Sequence, residues 1–334
     1  MSKPSPARRW LVLAKVAVSL GLCAWLAVKV QRQDGLGSLL ERLDRIEVGW
    51  IAVAVALHFL AVFAGVARWR LLLRVSGIEL GAGRLTRAFL IGRFIGAFTP
   101  STSGLDGYRL LAAGRASGKM TESAAAIGVE KLVGLIGMAS VCAVLVPFGG
   151  ASILGPSAVW TALAIGGGAA LLLVLLRHPS WLGLLVTRAP RTIRGKLGKA
   201  QAALHELDLG AGSMARAVGL GVISHLALSA VFAASARALG VDVSVAALLV
   251  VGNAIVIAVL LPVSIGGIGV RESVAVGLLS AIAVPPGDAL LVALLTYLTG
   301  QVPALLGAVF MMAERHPPVA RVPARSSDPL ASSA

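Results

Sequence analysis

The sequence predicts an all-α, polytopic membrane protein with six full membrane spans and two re-entrant hairpins of broken helix. Hydrophobic residues make up 57% of the 334-residue chain and charged residues only 13%, which excludes an ordinary soluble domain. The apolar residues occur in runs of about 20, the length that a helix needs to cross a bilayer. Basic residues gather at alternate ends of these runs, as is typical of multi-pass proteins.

Six apolar runs are long enough for full spans, and the tryptophans fall near their ends, where the headgroup layer favours amphipathic rings. The predicted spans are residues 10–28, 49–69, 121–147, 158–176, 214–238 and 288–312. Two shorter, interrupted apolar pairs lie at 85–118 and 244–284. Together these segments predict one integral membrane domain over residues 1–313.

The net charge of +15 is distributed in a way that predicts orientation rather than nucleic-acid binding. Arginines follow the second span and the last span, and basic residues bracket the connection at 178–212. This pattern predicts a plasma (inner) membrane protein with both termini in the cytoplasm. The connection itself has the pattern of a basic amphipathic helix on the cytoplasmic leaflet, with a soluble loop helix that covers the bundle as the alternative. Residues 314–334 have the composition of a disordered cytoplasmic tail.

Two polar stretches interrupt the apolar pairs and match each other. They read TPSTSGLDGYR from Thr99 and LPVSIGGIGVRE from Leu261. Five equivalent residues are separated by the same 162 positions, which indicates an internal repeat. The matched pairs are Pro100 with Pro262, Thr102 with Ser264, Gly104 with Gly266, Gly107 with Gly269, and Arg109 with Arg271.

The repeat divides the domain into halves at 49–147 and 214–313, whose opening spans run in opposite directions. Such inverted repeats commonly place a binding site near the middle of the membrane. Proline and glycine break a helix, and lipid cannot satisfy the exposed backbone, so each motif is expected at the tip of a hairpin buried in protein. Eight full spans, with Arg271 and Glu272 at the cytoplasmic face, are the alternative.

Each tip carries groups suited to an anion. The hydroxyls of Ser101, Thr102 and Ser264 can bond freed backbone groups or a ligand, and glycines such as Gly266 and Gly267 allow close approach. Arg109 and Arg271, just past the tips, are predicted to face one another across a midplane site for a phosphate.

Further ionisable residues are predicted inside the membrane. Glu130, next to Lys131, should be protonated, paired or facing a wet cavity there, and the candidate partners are Arg93, Arg109 and Arg271. Asp106 and Arg109 are three residues apart, so they can pair on a helix, and a purely structural ion pair is the alternative to a site. His58 and His225 lie inside the opening spans, where an interhelical hydrogen bond is expected and a proton relay is the alternative.

At these motifs the sequence resembles the transmembrane region of the lysylphosphatidylglycerol synthases, a family also described as flippase-like. The resemblance covers roughly residues 10–313 and is carried by Pro100-Ser101 with Asp106 and Arg109, by Glu130-Lys131, and by the run from Pro262 to Glu272. Leu105 and Lys131 depart from the family pattern, which more often has glycine and arginine there. The resemblance implies a role in moving lipids or lipid-linked headgroups between leaflets.

The favoured hypothesis is a translocase for an anionic phospholipid or a polyprenyl phosphate. The family's lysyl-transfer domain is not expected in the twenty or so residues after the last span, and neither a cofactor nor a metal site is predicted. A membrane-embedded transferase or phosphatase acting on a lipid phosphate is one alternative. An accessory subunit partnering an enzyme of a lipid pathway is another, and the sequence does not define the oligomeric state.

Overall fold

A computed structural model describes residues 20–29, 31–32, 43–99, 103–178, 209–260 and 269–314, together with 180–181, 183, 187 and 195. The described residues form helices, which pack into one bundle. The helices longer than one turn are α1 (Leu20–Lys29), α2 (Val48–Val75), α3 (Ala82–Ala97), α4 (Ser103–Ser117), α5 (Met120–Gly149), α6 (Ser157–Arg177), α7 (Ala211–Ala238), α8 (Val245–Leu260), α9 (Val270–Ser280) and α10 (Pro286–Glu314). A single helical turn, Ala151–Leu154, lies between α5 and α6.

Five described helices are long and apolar enough to cross a membrane, namely α2, α5, α6, α7 and α10. They confirm five of the six predicted spans and the all-α polytopic class. The predicted end of the second span at residue 69 was too early, because α2 continues to Val75. The first predicted span is described only from Leu20, where α1 is apolar.

The two interrupted pairs form short helices. Helices α3 and α4 contain 16 and 15 residues, and α8 and α9 contain 16 and 11. At a rise of about 1.5 Å per residue, the longest of them covers about 24 Å, less than the roughly 30 Å of hydrocarbon. Each helix alone is therefore too short for a perpendicular crossing.

Helices α3 and α4 pack tightly near the end of α3. Leu105 lies over Gly92 and Gly96, where a Cβ on Gly92 would come within 2.9 Å of the Leu105 side chain. The Gly104 amide donates a hydrogen bond of 3.0 Å to the Thr99 hydroxyl, so the chain is tied together where it leaves one helix and enters the next. Leu105, the departure from the family pattern, thus fills the groove between the two helices.

Helices α2 and α7 run antiparallel along the centre of the bundle. The Glu47 amide, just before α2, donates to the carbonyl of Ala238 at the end of α7, over 2.9 Å. Further along, the Ser224 hydroxyl donates to the Ala61 carbonyl over 3.3 Å. These contacts hold the opening helices of the two halves in opposite directions.

The helices α2–α5 and α7–α10 follow the same order of long, short, short and long. There are two main apolar cores. The one around Trp69 and Leu72 is formed mostly by α2–α5 and also includes Met214 and Ala217 of α7, and the other lies around Val251 and Leu279. Small residues bring the groups together, since a Cβ on Gly137 would clash with the backbone of Gly221. The space between the two cores is where the candidate site lies.

Two predicted segments lie largely outside the described residues. They are the basic connection at 178–212, of which only scattered residues are described, and the tail, beyond the end of α10 at Glu314.

Candidate functional site

Five charged side chains form a buried charge cluster, which consists of Arg68, Asp106, Arg109, Glu130 and Lys131. Glu130 is central, since its Oε2 accepts from Arg109 Nη2 at 2.6 Å and its Oε1 accepts from Arg68 Nη2 at 3.0 Å. Glu130 and Arg109 are only 4% and 2% exposed. One carboxylate thus forms ion pairs with two arginines from different helices.

Asp106 extends the cluster toward its edge. It accepts from Arg109 Nη2 at 3.1 Å, which confirms the predicted pair on one helix. Its other oxygen pairs with Lys131 Nζ at 2.6 Å. The side chain of Lys131 is half exposed, so the cluster passes from a buried centre to an accessible edge.

Arg109 is also enclosed by aromatic rings. Its guanidinium carbon lies 5.0 Å from the ring centres of both Trp69 and Phe89. Such contacts favour a cation that has been removed from water. Together with the two carboxylates, they hold Arg109 firmly within the protein.

A second polar region, the central cavity, lies between the two halves and has a volume of about 360 Å³. It is lined by residues of α2, α3, α4, α7, α8, α9 and α10. Its cationic side chains are Arg93 on α3 and Arg271 on α9, with His58 of α2 beside them. Arg109 is not among the described residues that line it.

Arg271 is positioned by its neighbours. Its guanidinium carbon lies 4.3 Å from the centre of the Tyr297 ring, and its Nη1 is 3.5 Å from Glu272 Oε1. The other carboxylate oxygen of Glu272 accepts from the amide of Gly269 at 2.8 Å, which caps the start of α9. Gly269 has a φ of +83°, a conformation that glycine adopts readily and other residues rarely do.

Arg93 and His58 are held by backbone carbonyls of α10. Arg93 Nη2 donates to Gly300 at 3.2 Å, and His58 Nε2 lies 3.2 Å from the Thr296 carbonyl oxygen, which confirms the interhelical bond expected for His58. The buried Nε of Arg93 has no hydrogen-bond partner among the described residues. Arg93 therefore keeps one donor that the described residues do not use.

The remaining walls of the central cavity are mostly apolar. Helix α8 contributes Ile255, Val256 and Val259, and α7 contributes Leu228 and Phe232. A cavity with a few fixed polar groups on apolar walls is the usual form of a small-molecule site. Here two of those groups, Arg93 and Arg271, are positively charged, so the chemistry favours an anion attached to an apolar body.

The described contacts of the predicted site residues fall into two groups. Arg109, Asp106, Glu130 and Lys131 belong to the buried charge cluster. Arg93 and Arg271 belong to the central cavity, and Glu272 adjoins Arg271. Of the three partners considered for Glu130, the structure pairs it with Arg109.

The predicted glycines differ in what surrounds them. A Cβ on Gly104 would clash with the Thr99 hydroxyl, so that position has no room for a side chain. Gly107 has nothing within 4 Å and is exposed. The other motif residues lie outside the described residues, namely Pro100, Ser101, Thr102, Pro262, Ser264, Gly266 and Gly267.

Sequence reasoning missed Arg68 and Tyr297. Arg68 looked like a basic residue at the cytoplasmic end of a span, but α2 continues for seven more residues and buries it. The apolar run from Leu71 to Leu73 after it was the available signal. Tyr297 carries no such signal, since its role depends on α9 packing against α10.

These features define a polytopic, all-α membrane protein with a cationic cavity between two helical halves. The model of the lysylphosphatidylglycerol synthase TM region family matches residues 12–307. The chain belongs to this family of lipid-related membrane domains. A comparison with curated proteins found no match.

Replacing Glu130 with alanine should lower the free energy of unfolding by about 3–5 kcal/mol, because Arg68 and Arg109 lose the carboxylate they share. Thermal unfolding in detergent, followed by tryptophan fluorescence, measures the effect. Glu122→Ala is the matched control, since Glu122 lies in the first turn of the same helix. The free energy of unfolding of Glu122→Ala should fall by less than about 1 kcal/mol. Equal losses in both variants would contradict the role given to Glu130.

Proposed function

We propose that this protein is a lipid translocase that holds the phosphate of an anionic phospholipid or polyprenyl phosphate in the central cavity. The observation that carries this proposal is the pair Arg93 and Arg271 on otherwise mostly apolar walls between the two halves. The family to which the chain belongs is lipid-related, which agrees with a lipid as the ligand.

The chemistry of the cavity suits a lipid phosphate. A guanidinium donates parallel hydrogen bonds to phosphate oxygens and keeps its charge away from water. Arg93 and Arg271 come from different halves, so one phosphate bound to both would bridge them. The apolar wall of α8 would then contact the hydrocarbon part of the lipid.

An inverted repeat would place such a site at its centre, and several contacts support the presence of an inverted repeat. His58 of α2 contacts the Thr296 backbone on α10, while His225 of α7 interacts with the Gly134 backbone on α5. Gly134 and Thr296 are separated by the same 162 residues as the paired motifs. The antiparallel packing of α2 and α7 provides the opposite directions that inversion requires.

The short helices support re-entrant hairpins. Helices α3 and α4 are tied together between Thr99 and Gly104, and neither reaches across the hydrocarbon alone. We infer that the α3–α4 hairpin enters from the cytoplasmic side and the α8–α9 hairpin from the opposite side of the plasma membrane. The basic residues at the ends of α2 and α6, Arg74 and Arg177, support a cytoplasmic location for those ends and for both termini.

An enzyme acting on the lipid phosphate would need a base or nucleophile beside the arginines. Glu272 is the carboxylate next to Arg271, and its oxygens are occupied by Arg271 and the Gly269 amide. Glu130 and Asp106 are occupied within the buried charge cluster. These contacts favour binding and movement of the lipid over chemical change.

Arg93→Gln and Arg271→Gln should each slow the movement of fluorescent phosphatidylglycerol between leaflets at least about tenfold, since each removes a charged contact worth roughly 1.4 kcal/mol or more. The assay uses purified protein in liposomes and measures the lipid accessible to an external quencher over time. Mass spectrometry of the recovered lipid should show it unchanged.

The matched control for these variants is Arg74→Gln, which removes an arginine from the exposed end of α2, away from the cavity. It should leave the rate within about twofold of the wild type. The proposed site would be contradicted if Arg74→Gln slowed lipid movement as much as the cavity variants do. It would also be contradicted if the cavity variants did not slow lipid movement. Recovery of a covalently altered lipid would instead identify an enzyme.

A cysteine placed beside Pro262, as Val263→Cys, should react with an impermeant maleimide only from the outside, because the hairpin enters from there. Cys23 and Cys142 are first replaced by alanine. Ser244→Cys, exposed just before α8, serves as the outside control. Labelling of Val263→Cys only from the cytoplasmic side would establish eight full spans.

A further inference from the structure

A second cationic cavity lies at the base of the α3–α4 hairpin, away from the central cavity. It has a volume of about 570 Å³ and is lined by three arginines, which are Arg84 and Arg87 on α3 and Arg115 on α4. The lining, as far as the described residues form it, includes no carboxylate. We call this space the basal cavity.

We propose that the basal cavity is a separate binding site for a phosphate group. Guanidinium groups donate charge-assisted hydrogen bonds to phosphate, and three of them line this one cavity. This proposal concerns a different site from the central cavity and does not depend on lipid movement through the latter.

The start of α3 adds to the positive potential. No side chain caps the helix at Gly81, and its first turn contains no acidic residue. The helix dipole is positive at this end, so Arg84 lies where a cation is unfavourable and an anion is favoured. The backbone amides and the arginines therefore favour the same ligand charge.

The cavity is also shaped to leave room for a headgroup. The small residues Gly83 and Ala116 line it, and Tyr108 provides one wall. Arg87 is held beside α10, where its guanidinium carbon lies 5.5 Å from the centre of the Phe310 ring. This contact orients one of the three arginines, which is itself exposed to solvent.

The basal cavity lies on the side that the charge pattern assigns to the cytoplasm. Basic pockets between helices on that side are suited to anionic lipid headgroups of the inner leaflet. A soluble phosphate ester carries the same chemical group. The experiment must therefore separate a lipid phosphate from a soluble one.

The test uses a fluorophore on Gly81→Cys, an exposed position with nothing within 4 Å, in a chain whose native cysteines are replaced by alanine. The full-length protein is placed in phosphatidylcholine nanodiscs that contain nitroxide-labelled phosphatidylglycerol or nitroxide-labelled phosphatidylcholine. The proposal predicts stronger quenching by phosphatidylglycerol. Because the probe sits at the basal cavity, the result does not depend on the central cavity.

The preference for phosphatidylglycerol should fall at least about tenfold in Arg84→Gln/Arg115→Gln, because two charged donors are lost. Ala116→Trp should lower it similarly by filling the cavity without a change of charge. The matched control Arg74→Gln/Arg237→Gln removes two exposed arginines that do not line the cavity and should keep the preference.

A second arm adds glycerol 3-phosphate at constant ionic strength. Displacement of the labelled lipid, lost in Arg84→Gln/Arg115→Gln, would assign the site to phosphate groups in general, whereas no displacement would assign it to lipid headgroups. The proposal is overturned if neither phosphate source shows binding that depends on Arg84 and Arg115. It is equally overturned if the control variant loses the preference to the same extent.

Discussion

The ion pair between Glu130 and Arg109 is the contact on which the arrangement of the first half depends. Charge inside an apolar bundle must be compensated, and Glu130 on α5 does this for Arg109 on α4 and Arg68 on α2. Three helices are thereby joined at one carboxylate. The α3–α4 hairpin is held against the long helices, and with it the position of Arg93 at the central cavity.

The two halves use equivalent arginines in different ways. Arg109 has carboxylate oxygens at 2.6 and 3.1 Å, while the contact of Arg271 with Glu272 measures 3.5 Å. The residue 162 positions after Glu130 is Val292, which is fully buried and apolar. The second half thus has no counterpart of the central carboxylate at that position. We infer that one arginine stabilises the bundle and the other serves the ligand.

This division explains how a repeated motif can serve both packing and binding. A fully compensated charge fixes helices in place, but it offers a ligand little. Arg271 instead lines an apolar cavity and lies against the Tyr297 ring. Such a cation can exchange water for a phosphate at a lower free-energy cost than a cation held by two carboxylates. The proposed translocation requires both kinds of site, one rigid and one that a lipid can enter.

Much of the fold could be predicted because hydrophobic length is a local property. The spans at 121–147 and 214–238 were located within a few residues, since apolar runs mark them directly. The pair Asp106 and Arg109 could also be predicted, because three residues separate positions on one helical face. Charge balance required a partner for Glu130, and Arg109 was among the candidates.

What could not be predicted depends on packing between distant segments. The apolar run from Leu71 to Leu73 indicated that α2 continues past Arg68, but the contact of Arg68 with Glu130 depends on α2 packing beside α5. The different contacts of Arg109 with Glu130 and of Arg271 with Tyr297 likewise follow from which helices pack beside each arginine. Motif symmetry indicated equivalent positions, but it carried no information on the residues that each arginine would meet.

The central claim is that a lipid phosphate lies between Arg93 and Arg271. Solid-state NMR can measure dipolar coupling between the phosphorus of phosphatidylglycerol and nitrogen-15 in arginine side chains of the protein in liposomes. Direct hydrogen bonds would place phosphorus and nitrogen roughly 4 Å apart. The account predicts a coupling that decreases in Arg93→Lys/Arg271→Lys, which keeps both charges but removes both guanidinium groups. A coupling of the same size in that variant would contradict it.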